Sequence, residues 1–129
     1  MARLNEILSS ADRALNTLDE VLAEPYSVFI RDASIQRFEY TFEAIWKLQK
    51  AQLLDVEGVV CASPKSCFRQ ALPAGMLNEE EVLLALEMTD DRNRCVHTYH
   101  EALADTIFSK LPEYRDLMRH LLNAIKEGF

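Results

Sequence analysis

Apolar residues recur three and four positions apart along nearly the whole chain, and this helical period constrains the fold more than any other feature. From Ala2 to Glu24 it sets Leu4, Ile7, Leu8, Ala11, Leu15, Leu18, Val21 and Leu22 on one face, with Arg3, Glu6, Asp12, Arg13, Asp19 and Glu20 on the other. Pro25 ends that segment, because the residue before a proline is pushed out of the α region. A second helix is predicted over 28–54, with an aromatic-rich stripe that includes Phe29, Phe38, Phe42, Ile45, Trp46 and Leu48. Glu39, Glu43 and Lys47 stand at successive i, i+4 positions on a neighbouring face, a stabilising order of charges that also suits a plain solvated stripe. Gly58 closes the segment, and Val59-Val60-Cys61-Ala62 is a short loop.

Ser63-Pro64 opens a third helix, serine as N-cap and proline at the first helical position. Pro73 and Gly75 keep it short. Asn78 and Glu81 form a capping box for a fourth helix, which turns Val82, Leu83, Leu86 and Met88 inward and runs into Asp90-Asp91-Arg92-Asn93-Arg94-Cys95-Val96-His97-Thr98-Tyr99. Thr98 and Glu101 read as a second capping box, opening a helix through Ile107 and Phe108 that Leu111-Pro112 breaks. A last helix then carries Tyr114, Leu117, Met118, Leu121, Leu122 and Ile125, with Gly128 as its stop. No strand alternation and no internal repeat competes with this pattern. The predicted fold is all-α: an antiparallel helical bundle, a four-helix up-and-down core with short extra helices, in one domain over 1–129.

Composition excludes several function classes. No apolar run reaches the roughly 18 residues that a membrane span needs, and Met1-Ala2-Arg3-Leu4-Asn5-Glu6 lacks the apolar core of a secretory signal, so a cytoplasmic protein is expected. Three cysteines cannot all pair within one chain, and reduced thiols are expected for Cys61, Cys67 and Cys95. No two histidines have metal-ligand spacing on a helix; neither a metal nor a cofactor is predicted. A net charge of −7 opposes any broad basic surface for nucleic acid, so contact with RNA would rest on a local spot such as Arg92 and Arg94.

The polar cluster at the end of the fourth helix is the candidate site. Arg92 and His97 are five positions apart, roughly 140° around an unbroken helix. Both face one target only if the helix ends between them, if two copies of the chain share the site, or both. For Arg92 the plain alternative is an ion pair with Asp90, Asp91 or Glu43; for His97 it is a satisfied histidine at a helix end; for Tyr99 it is a ring anchored in the core with its hydroxyl wet.

The run Arg92-Asn93-Arg94-Cys95-Val96-His97, with Tyr99 two residues beyond, resembles the signature of the HEPN superfamily of all-α RNA-cleaving and nucleotide-binding domains. Its extended form is similar to the branch encoded with a minimal nucleotidyltransferase. The resemblance reaches back through the second helix, Arg31 to Lys47, and to Ser63-Pro64-Lys65 with Phe68-Arg69. It implies metal-independent endoribonuclease chemistry, in which a ribose 2′-hydroxyl attacks the adjacent phosphate. His97 would move the proton, Arg92 would hold the phosphate and Asn93 would position either. Arg94 is a candidate second phosphate contact, and Glu39 and Glu43 are candidate supports from the second helix. The resemblance also implies a homodimer with both motifs at one cleft. It implies a hetero-oligomer with the nucleotidyltransferase, which would act as antitoxin by adding AMP to Tyr99 and so block the cleft. The competing implication is a non-catalytic subunit that binds substrate for the nucleotidyltransferase.

Overall fold

Ser27, Ser63 and Asn78 each accept a backbone N–H from the first turn that follows, and three helices start there. The computed structural model describes residues 2–128. Its helices are α1 (Ala2–Leu22), α2 (Val28–Gln52), α3 (Pro64–Gln70), α4 (Glu79–Arg94) and α5 (Glu101–Glu127). The Asn78–Glu81 capping box is made in full, with both reciprocal bonds present. α2 gives way at Leu53 to a wide π-turn, Leu53–Glu57, which Gly58 closes in the left-handed region at φ 69°. That conformation favours glycine, as the sequence led one to expect.

Ion pairs and contacts fix the directions of the helices. Arg37 reaches the Thr17 carbonyl while Thr41 reaches Ala14, so α2 runs antiparallel to α1. Lys110 meets Glu87, and His120 meets Glu81, which sets α4 antiparallel to α5. α2 and α5 run the same way: Arg31 bonds Glu101 and Asp105 near both N-termini, and Phe38 stacks on Tyr114 further along at 5.7 Å. The result is an all-α up-and-down bundle of α1, α2, α4 and α5, with α3 as the short extra helix. One apolar core joins all five, from Leu15 and Phe38 to Met88 and Leu122. Among the described residues no helix is long and apolar enough to cross a membrane.

Four local expectations are corrected. Pro112 does not break α5, which is continuous over Glu101–Glu127. Pro112 is exposed, so water can take the carbonyl it leaves unbonded, and buried Leu111, Tyr114 and Leu117 hold the helix together across it. Thr98 and Glu101 form no capping box: His100 is the N-cap, and the Glu101 carboxylate lies 2.6 Å from the buried Arg31 guanidinium. Leu83 faces outward, one position off the stripe of Val82, Ala85 and Met88.

The fourth correction concerns redox state. Cys61 and Cys67 are joined by a disulfide with a Cα–Cα distance of 5.4 Å, which ties the loop after the π-turn to α3, while Cys95 is free and buried. Cys61 and Cys67 pack with Leu53, Val59, Ala74 and Trp46 in a small apolar cluster of their own. For a loop this short, the Cys61→Ser/Cys67→Ser double variant is expected to lose about 2 kcal/mol of stability. Wild-type protein unfolded in the presence of a reductant should then match the double variant. Identical denaturant midpoints with and without reductant would show that the bond contributes nothing in solution.

Candidate functional site

At the end of α4 the chain tightens into a single 3₁₀ turn, Cys95–His97, so the helix does end between Arg92 and His97. Two buried groups anchor the end. Cys95 points inward and donates to the Asp91 carbonyl at 3.4 Å, and burial, with Glu39 and Asp91 nearby, pushes its thiol up to about 12. It packs in the apolar core as a buried side chain. Asp91, 3% exposed, accepts from the Tyr114 hydroxyl, from Arg94 at 2.7 Å and from Lys110 at 3.2 Å. Burial by itself would raise the Asp91 carboxyl, but these three donors outweigh it and hold the group below its ordinary range.

With its neighbours fixed, Arg92 extends toward α2. One Nη donates to the Glu43 carboxylate, and the guanidinium lies 5.7 Å from the centre of the Phe42 ring. Its Nε is buried without a partner, so the guanidinium is only partly satisfied where it sits. Glu43 also accepts from Trp46 Nε1 at 3.2 Å and has the Lys47 amine at 3.8 Å. Glu39, one turn earlier, is half-buried; desolvation raises its carboxyl against the pull of the Arg92 cation.

Arg92, Asn93 and Thr89 from α4, Glu43 and Trp46 from α2, and Ser63, Pro64 and Lys65 from the start of α3 enclose a cleft of about 390 Å³. Lys65 is tied across it to Asp90 at 2.6 Å. The cleft is mixed in charge, with two cations, one carboxylate and an amide, beside an indole.

His97 and Tyr99 lie outside this cleft. Both are exposed on the turn beyond α4; the Tyr99 hydroxyl is 3.4 Å from His97 Nδ1, and the two rings meet edge-on at 6.0 Å. Tyr99 is 72% exposed, so the plain alternative of a ring anchored in the core does not hold. The motif is thus divided: Arg92, Asn93 and Glu43 meet at the cleft with Glu39 close by, His97 and Tyr99 meet on the outer turn, and Arg94 turns away to Asp91. The ion pair with Glu43, one of the plain alternatives for Arg92, is present. Tyr114 and Lys110 carry no sequence signal for the site, and the resemblance covers Lys65 and Trp46 without giving either a role there. A lysine after a helix N-cap, or a tyrosine on an apolar stripe, looks like scaffold until the helices are packed.

A family model described as "Nucleotidyltransferase substrate binding protein like" matches residues 6–127. The chain is similar to the crystal structure of the protein ttk003001694 from Thermus thermophilus, with 51% identity and a TM-score of 0.86 over 89% of this chain and 98% of that one. It also has the fold of HI0074 from Haemophilus influenzae, whose structure is described as revealing the fold of a substrate binding domain of a nucleotidyltransferase. There the identity is 20% and the TM-score 0.78, over 92% of this chain and 98% of that one. No curated protein matches the sequence.

Proposed function

We infer the function of this chain from one premise: it belongs to the nucleotidyltransferase substrate binding protein-like family. In this reading it is the substrate-binding subunit of a two-component nucleotidyltransferase whose catalytic chain is a separate polypeptide. The observation that carries it is the cleft at the end of α4. Arg92, Lys65 and Asn93 offer it two cations and an amide, suited to holding an anionic or hydroxyl-bearing substrate, while His97 stays outside. A binding cleft needs no proton-transfer group of its own when the chemistry belongs to the partner.

A second reading is favoured by the exposed pairing of His97 with Tyr99. Here the chain is the HEPN-type toxin of a toxin–antitoxin pair and a metal-independent endoribonuclease. Two copies associate so that His97 of one meets the phosphate held by Arg92 of the other. The nucleotidyltransferase is the antitoxin. The Tyr99 oxygen attacks the α-phosphorus of ATP, pyrophosphate leaves, the phenolic proton passes to a base, and the tyrosyl-AMP that remains covers His97.

Co-expression with a cognate nucleotidyltransferase tests both readings at once. The two chains are expected to purify together in a fixed ratio, and the second reading further expects AMP on the peptide that holds Tyr99, seen by mass spectrometry. Tyr99→Phe should keep the complex and escape the modification, since its ring is already solvated and only a hydroxyl is lost. Two chains that elute separately would remove both readings. An unmodified Tyr99 beside an active partner would leave substrate binding as the function.

A further inference from the structure

Trp46 lines a second hollow, larger than the candidate cleft, between the first half of α1 and the second half of α2; its volume is about 580 Å³. Ala44 and Ala51 on α2 and Ser10 on α1 line it with small side chains, where longer ones would fill the space. Ile7 and the half-exposed Leu54 extend the apolar floor.

The rim has a different character from the rest of this acidic chain. Arg3, Lys47 and Lys50 stand on it against one acid, Glu6. The Lys47 amine is 3.8 Å from Glu43 and the Lys50 amine is 5.8 Å from the centre of the Trp46 ring. Among the described residues, Arg3 and Lys50 make no ion pair with a carboxylate. In a protein of net charge −7, Arg3 and Lys50, without carboxylate partners beside an apolar floor, favour a negative group there. The volume falls within the range of about 300–1,000 Å³ usual for small-molecule sites.

We propose that this hollow is a binding site for a small amphipathic anion, an apolar chain with one carboxylate or phosphate head. The chain lies on the floor made by Ala44, Ala51 and Ile7, and the head reaches Arg3 and Lys50. The site is separate from the nucleotidyltransferase reading and does not depend on it.

Trp46 is the single tryptophan, so its emission reports on the hollow directly. Titration of the purified full-length chain with decanoate and with decyl phosphate is expected to give a saturable emission change and a matching heat by calorimetry. The tighter of the two identifies the head group. Decyltrimethylammonium, with the same tail and opposite charge, should give neither signal. Arg3→Glu and Lys50→Glu should each weaken binding about tenfold, and Ser10→Phe should abolish it by filling the space. All three positions are exposed, so circular dichroism should be unchanged. Trp46 also borders the candidate cleft, and Lys65→Ala, which touches only that cleft, separates the two: binding should survive it. Absence of both signals, equal binding of the cationic amphiphile, or loss of binding in Lys65→Ala but not in the groove variants overturns the proposal.

Discussion

Asp91→Ala is expected to lower the free energy of unfolding by about 3 kcal/mol, more than any other single change at the end of α4. The carboxylate is buried and takes three donors from two helices: Arg94 on α4, and Lys110 and Tyr114 on α5. Removing it leaves the Tyr114 hydroxyl buried without a partner and two cations without their shared counter-charge. Tyr114→Phe removes one donor of three and should cost about 1–2 kcal/mol. The two losses should not add, because Asp91→Ala has less to lose once the hydroxyl is gone. Acid should show the same coupling. The folded Asp91 carboxyl lies below its ordinary range, so its contribution is present above the unfolded value of about 4 and is lost as the pH falls through the lower folded value. Asp91→Asn should therefore flatten the acid limb of the stability profile. Additive losses in the double variant, or an unchanged acid limb in Asp91→Asn, would count against a shared network.

The same residues show how far the sequence was legible and where reading it stopped. Local chemistry was readable. The caps at Ser63 and Asn78, the stop at Gly58 and the apolar stripes of α1 and α2 each depend on neighbours within four positions, and the all-α bundle follows from them. What depended on distant partners was not. Glu101 resembles the third residue of a capping box, yet its partner is Arg31, seventy positions away, and a buried cation outweighs a cap bond. Pro112 carries a local rule against helix, and packing on both sides of it overrides that rule. Asp91 sits between the motif arginine and an acidic neighbour with nothing to distinguish it until α5 brings Lys110 and Tyr114 alongside. The disulfide depends on a loop geometry that three cysteines in sequence do not specify. The motif singled out the end of α4 as the candidate site. It did not reveal that Arg92 and His97 leave that end in different directions.

That divergence makes the ribonuclease reading sharply testable. If Arg92 holds a phosphate in its cleft and His97, exposed outside that cleft, moves the proton, this reading expects a dimer in which each site takes Arg92 from one copy and His97 from its partner. Arg92→Ala and His97→Ala are each expected to lower RNA cleavage about a hundredfold or more, and to relieve growth arrest when the chain is expressed alone. The proposed chemistry moves the proton on His97 and holds the phosphate on Arg92 without a metal, so cleavage should persist in excess EDTA. Mixing the two dead variants then discriminates between arrangements. A twofold dimer carrying one of each rebuilds one intact site and leaves the other doubly broken, so random exchange of subunits should restore about a quarter of wild-type cleavage. A site formed within one copy predicts no recovery, since every copy in the mixture lacks one of the two residues. Recovery places the two residues in trans. Wild-type cleavage in either single variant, or a monomer by light scattering at micromolar concentration together with full cleavage, would overturn the shared site. Absence of any RNA cleavage by the wild-type chain leaves the cleft at Arg92 with the binding role alone.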